Sequence, residues 1–198
     1  MPLIRTHGRE HLPGTGPVIL ASNHLSFIDS VVIRLAAPRH VTFLAKDEYF
    51  TRKGLRGRVI RAFFTAVGSV PVSRGSHRAA QAALDTAREI LDGGHVFGIY
   101  PEGTRSLDGR LYRGRTGVAW LALTTGAPVV PVALEGTERL QPVGKRLPRP
   151  HRVTVRFGPP LTFTGDPKSA RARRAVTDQV MLAIGDLSGQ ERADRFAA

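Results

Sequence analysis

Apolar residues along the chain fall into short β-branched or aromatic runs separated by longer segments rich in Ala and Leu, the pattern of an α/β fold rather than a bundle or sandwich. Six runs read as strands: Pro17–Ser22, Val41–Ala45, Ser69–Ser73, His95–Tyr100, Pro128–Leu134 and Arg152–Phe157. Most are near-continuous apolar stretches, as expected of strands covered on both faces, whereas Arg152–Phe157 alternates and predicts an edge. Between them, Ser76 can cap a helix in which Ala80, Leu84, Ala87 and Leu91 share a face, and Gly93-Gly94 can end it. Further helices are predicted after Asp29, over Thr116–Thr125, and from about Ser169 to Leu187. The Pro- and Arg-rich stretch Gln141–Pro150 reads as a long loop. These elements predict one domain over residues 1–198, built on a mostly parallel central sheet of about six or seven strands flanked by helices.

Composition supports a folded chain: 41% hydrophobic and 23% charged residues in a length of 198 exclude disordered and fibrous classes. No window reaches the roughly 18 apolar residues of a membrane-spanning helix, and MPLIRTHGREHLPG lacks the apolar run of a signal peptide. With no cysteine, disulfides, thiolate metal sites and a cysteine nucleophile are excluded, which fits a cytosolic protein. The net charge of +13 attracts polyanions, including nucleic acid, anionic lipid, coenzyme A phosphates and acidic carrier proteins, without choosing among them.

Candidate chemistry sits where strands end, the usual ligand edge of an open α/β sheet. After the first run comes Asn23-His24-Leu25-Ser26-Phe27-Ile28-Asp29. A histidine and an aspartate five apart across such a turn can form an oriented general base, with the carboxylate on one ring nitrogen and the other nitrogen facing a hydroxyl. If the substrate's own oxygen attacks a thioester, no enzyme nucleophile is needed. The same spacing also describes an aspartate that caps a helix. After the fourth run comes Tyr100-Pro101-Glu102-Gly103-Thr104-Arg105-Ser106, where a guanidinium, a hydroxyl and exposed amides can hold a phosphate, or simply form a solvated turn.

Taken in order, Asn-His-x-Ser-x-x-Asp and Pro-Glu-Gly-Thr-Arg resemble the glycerolipid acyltransferase family that includes the bacterial lysophosphatidic acid acyltransferases. The resemblance covers residues from Gly8–Pro17 through Pro128–Leu134 and implies a glycerol-3-phosphate acyltransferase-like fold. It implies His24 as catalytic base with Asp29 as its partner. It also implies a substrate-binding set of Lys46, Arg74, Glu102, Gly103, Thr104 and Arg105, with Val129-Val130-Pro131-Val132 as the family's apolar strand. The implied reaction passes a fatty acyl group from acyl-CoA or acyl carrier protein to the free hydroxyl of lysophosphatidic acid, with no bound cofactor or metal. Another lysophospholipid, glycerol phosphate or an amino-lipid are the alternative acceptors.

Many relatives in that family carry a membrane helix before the first motif, and the residues preceding His24 contain none. Phe50–Val67 supplies another route to lipid: Leu55, Val59, Ile60, Phe63, Phe64 and Val67 recur at helical spacing among Arg52, Lys53, Arg56, Arg58 and Arg61. The same pattern suits a helix packed on the sheet with a solvated basic face. The expected location is therefore cytoplasmic, at the inner face of the plasma membrane, on an anionic surface. His7-Gly8-Arg9-Glu10-His11 spells a zinc-protease string but meets Leu12-Pro13-Gly14 too soon to form the required helix. Ser26 lacks the Gly-x-Ser-x-Gly turn of a nucleophile and reads as a hydrogen-bonding or helix-initiating serine. Gly144-Lys145 lacks the flanking residues of a nucleotide loop. A nucleic-acid-binding reading would rest on Arg156, Arg171, Arg173 and Arg174, but no recognition motif accompanies them.

Overall fold

A computed structural model of the chain describes residues 3–46, 54, 58, 69–72, 77–142 and 149–197. The main sheet is built from β1 (Ile4–His7), β2 (Val18–Ser22), β3 (Val41–Lys46), β4 (Ser69–Val72), β5 (Val96–Ile99), β7 (Val129–Glu135) and β8 (Val153–Phe157). A small parallel pair, β6 (Leu111–Tyr112) and β9 (Arg192–Ala193), stands apart from it. The described helices are α1 (Asp29–Ala36), α2 (His77–Asp92), α3 (Gly117–Thr125), α4 (Thr137–Leu140) and α5 (Ala170–Ser188).

The strands of the main sheet lie in the order β1-β8-β7-β2-β5-β3-β4, and every neighbouring pair is parallel except β7 with β8. The near-continuous apolar runs follow from burial on both sides. Val18 and Leu20 of β2 join one core with Val32 and Ile33 of α1, while Ile19 and Ala21 join the other with α2, α3 and α5. Parallel registration of β2 with β5 and β7 then brings three carboxyl ends side by side at one edge.

The helices start and stop near the expected residues. The Ser169 hydroxyl accepts the Ala172 amide at the start of α5, and Gly189, at φ 65°, ends it. In α2, Ala87 and Leu91 are buried and Leu84 is half-buried, but Ala80 is exposed, so the packed face begins one turn later than its periodicity suggests. Ser76 and Ser73 lie outside the described residues, as does Phe50–Val67 apart from Gly54 and Arg58. So do residues 143–148 of the expected loop, whose described ends meet where the Arg149 amide donates to Leu140.

One expectation is corrected. β8 is not an edge, because β1 pairs beside it in parallel register from Ile4↔Val153 to His7↔Arg156. Its alternation has another cause: Val153, Val155 and Phe157 enter the core, while Thr154 and Arg156 face a half-covered side where Arg156 meets Glu135 at 2.8 Å. Among the described residues no helix is long and apolar enough to cross a membrane.

Gly98 in β5 leaves the space that the Phe43 ring of β3 fills; a Cβ there would lie 2.2 Å from that ring. Gly98→Ala is expected to lower the unfolding free energy by about 1–3 kcal/mol through overpacking, measured by urea denaturation. A change below about 0.5 kcal/mol would mean that the ring relocates freely.

Candidate active site

β2 delivers Asn23 and His24 to the sheet edge, and the chain turns at once into α1, which opens with Asp29. Asp29 is fully buried, so its carboxylate requires partners. Its Oδ2 accepts from the Leu25 amide at 2.7 Å, the Ser26 amide at 2.8 Å and the His24 ring Nδ1 at 2.8 Å. A carboxylate accepts only, so Nδ1 carries a proton, and in the neutral ring Nε2 is the nitrogen with the lone pair. The turn thus brings the side chains of His24 and Asp29 into hydrogen-bond contact.

An aromatic stack fixes the plane of the imidazole. The Tyr100 ring lies 3.9 Å from that of His24 at an interplanar angle of 11°, and Phe43 stacks behind Tyr100 at 5.5 Å. The His24 side chain keeps 19% of its surface exposed. Burial, and after it the Asp29 carboxylate, pushes the Tyr100 phenol well above its ordinary pKa against an opposing contact from Ser30, so the phenol stays neutral.

β5 delivers the second loop alongside. Glu102, expected among the substrate-binding residues, is fully buried and turned away from the surface. Its Oε1 accepts the His24 backbone amide at 3.1 Å and its Oε2 the Tyr112 amide at 2.9 Å. With each oxygen engaged by a backbone amide, Glu102 braces one loop against the other. A further tie joins the Ser106 amide to the His24 carbonyl at 2.8 Å. Asp108 staples the following turn by accepting from Ser106, Arg110 and the Tyr112 hydroxyl.

The remaining loop residues do face outward. Gly103 is exposed with φ 78°, a conformation that favours glycine, and a Cβ there would approach the Arg115 side chain to 2.9 Å. Thr104 and Arg105 are half-buried, and nothing among the described residues pairs with the Arg105 guanidinium. Lys46 ends β3 opposite Val72, which places its backbone on the same edge; its side chain and all of Arg74 lie outside the described residues.

Two further polar residues hold the site without having been singled out in the sequence. The Asn23 side chain is fully buried, donating to Leu134 O at 3.0 Å and accepting from Leu134 N at 2.8 Å, which clips the His24 turn to β7. It also donates to Gln190 Oε1 at 2.7 Å. Asn23 sits inside the first motif, so adjacency to His24 could have flagged it; nothing in the sequence points to Gln190. Ser26 donates to Gln141 O at 2.8 Å, a hydrogen-bonding role. His11 lies in a single 3-10 turn and is bonded to Phe157 O at 2.8 Å. Among the described residues no group of three or more His, Asp or Glu is placed to hold a metal ion.

Burial raises the Glu102 carboxyl from an ordinary 4.5 to about 7, against the lowering effect of the Tyr112 and His24 amides, with Asp29 and Asp108 adding to the rise. Between those values the folded protein keeps a proton that the unfolded chain releases, so this group's contribution to stability falls as pH rises. In Glu102→Gln the side-chain NH2 opposes one backbone amide, which leaves the variant less stable and without that slope. The lead in Tm of wild type over Glu102→Gln is expected to shrink between about pH 5 and about pH 7.5. A lead that stays constant would mean that Glu102 is ionised throughout.

The sequence model of the Acyltransferase family matches residues 3–135. A chloroplastic 1-acyl-sn-glycerol-3-phosphate acyltransferase, BAT2 of Brassica napus, is 35% identical over 138 residues, which is 69% of this chain and 38% of that protein. The 1-acyl-sn-glycerol-3-phosphate acyltransferase of Bacillus subtilis is 28% identical over 160 residues, 80% of this chain and 73% of its own length. The crystal structure of the 1-acyl-sn-glycerophosphate (LPA) acyltransferase PlsC from Thermotoga maritima superposes with a TM-score of 0.70 at 28% identity, covering 93% of this chain and 71% of that one. The chain spans well under half the length of plant relatives such as BAT2. With a matching family model over most of its residues and the same α/β architecture, the chain belongs to the glycerolipid acyltransferase family.

Proposed function

We propose that this protein transfers a fatty acyl group from a thioester, acyl-CoA or acyl carrier protein, to the free hydroxyl of lysophosphatidic acid, giving phosphatidic acid. One observation carries the reading: a partly exposed histidine whose Nδ1 is bonded to a buried aspartate lies beside a loop whose Arg105 guanidinium has no partner among the described residues. The names of the relatives in Brassica napus, Bacillus subtilis and Thermotoga maritima support the acceptor.

In this mechanism Nε2 of His24 takes the proton of the acceptor hydroxyl as its oxygen attacks the thioester carbonyl. The C–S bond then breaks, and the imidazolium returns the proton to the departing thiolate. Asp29 keeps the required tautomer and stabilises the transient positive ring. Arg105, with Gly103 and Thr104 and in company with Lys46 and Arg74, holds the phosphate so that the hydroxyl meets the ring. The protein acts at the inner, anionic face of the plasma membrane, to which its charge of +13 attracts it. The nucleic-acid reading is disfavoured, because Arg156 is bonded to Glu135 and Arg174 to Asp178 and the Gly114 carbonyl.

Acyl transfer to lysophosphatidic acid by purified protein in lipid vesicles tests the reaction, with an acceptor lacking the phosphate monoester as the specificity control. His24→Ala is expected to lower kcat by at least about a hundredfold. Near-normal turnover in that variant would remove the general-base assignment. Arg105→Ala is expected to raise KM for lysophosphatidic acid by about tenfold or more, the loss of a charge-assisted bond, with kcat little changed. An unchanged KM would remove Arg105 from phosphate binding.

A further inference from the structure

The segment after α5 lies beyond residues 3–135 that match the family model, yet it reaches the candidate site. Gly189 turns the chain, and the Gln190 side chain enters between the two motif loops. Its Oε1 accepts from Asn23 Nδ2 at 2.7 Å, and its Nε2 donates to the Gly109 carbonyl at 2.6 Å. Backbone pairing holds the segment in place: Leu111 N donates to Glu191 O, β9 pairs with β6, and Arg113 N donates to Arg195 O.

The amide orientations in this network are mutually consistent. Asn23 has two N–H groups and one carbonyl oxygen; the N–H groups go to Leu134 O and Gln190 Oε1, and the oxygen accepts from Leu134 N. Without Gln190, a fully buried donor next to His24 would lack its acceptor, and the Asn23 side chain would be free to shift. The other end of the bridge holds Gly109, in the turn between Ser106 and Tyr112, the two residues whose amides reach the His24 carbonyl and Glu102. Gln190 therefore acts on the His24 backbone from both sides.

We propose that Gln190 is a positioning residue that sets the aim of the His24 ring through Asn23 and the Gly109 turn. The proposal rests on His24 being the general base of acyl transfer. Gln190→Met keeps the length of the side chain and removes both hydrogen bonds. It is expected to lower kcat about tenfold, as loss of an orienting contact does, with KM for lysophosphatidic acid within about twofold of wild type. Gln190→Glu keeps an acceptor for Asn23 and is expected to recover most of that loss.

A second readout needs no catalysis: the downfield Nδ1 proton of His24 in protein labelled at histidine nitrogen, assigned by its disappearance in His24→Ala, is expected to shift or broaden in Gln190→Met. Unchanged kcat in Gln190→Met, an unchanged His24 resonance, or a Glu variant as impaired as the Met variant would each overturn the proposal. So would a Met variant that fails to fold, since Gln190 would then serve stability alone. If wild type itself transfers no acyl group, the proposed function fails, and the resonance decides the positioning claim by itself.

Discussion

The site is organised around the need to satisfy one buried carboxylate. Asp29 has no access to water, and burying an unpaired charge costs several kcal/mol, so its surroundings must supply donors. Two come from the backbone of the turn that it closes and the third from an imidazole, all on a single oxygen. The position also suits the charge, because the first turn of α1 presents the positive end of the helix dipole. One electrostatic requirement therefore shapes the turn, starts the helix and sets the tautomer of the histidine.

Sheet topology explains why a second loop can share that edge. β2 and β5 are adjacent and parallel, so the chain leaves both in the same direction at the same height. Two loops placed so close need cross-bracing, and it comes from the buried Glu102 carboxyl and the Ser106 amide, while the Asn23 amide ties the first loop to β7. The side chains left facing outward are the small, hydroxylic and cationic ones suited to an anion. This division of labour, acids and amides inside and Arg105 outside, follows from which groups backbone N–H donors can satisfy.

Legibility in the sequence varied with the physical signal. Strands such as β2, β5 and β7 and the long helices stand out because burial leaves nearly uninterrupted hydrophobic runs and helix ends leave Ser and Gly. β1, β6 and β9 do not, since four polar-alternating residues or a pair of residues carry no periodicity, and their pairing is decided by partners far away in the chain. β8 was misplaced at the edge for the same reason. His24 and Asp29 are legible as a spaced pair, whereas the bracing contacts of Glu102, read from the resemblance as substrate-binding, are not, because composition cannot tell a ligand-facing carboxylate from one that caps backbone amides. Gln190 had no local signal at all, its role being created by the fold.

The pairing of β1 has a consequence for how the chain is made. Among the described residues its only strand partner is β8, joined from Ile4↔Val153 onward. On a ribosome β1 must therefore wait, with this ladder unmade, until β8 has been synthesised. The same delay applies to the bridge between Asn23 and Gln190. Closure of such distant contacts comes late and slowly in a growing chain, so the histidine turn is translated well before Gln190 and reaches its final geometry only after it.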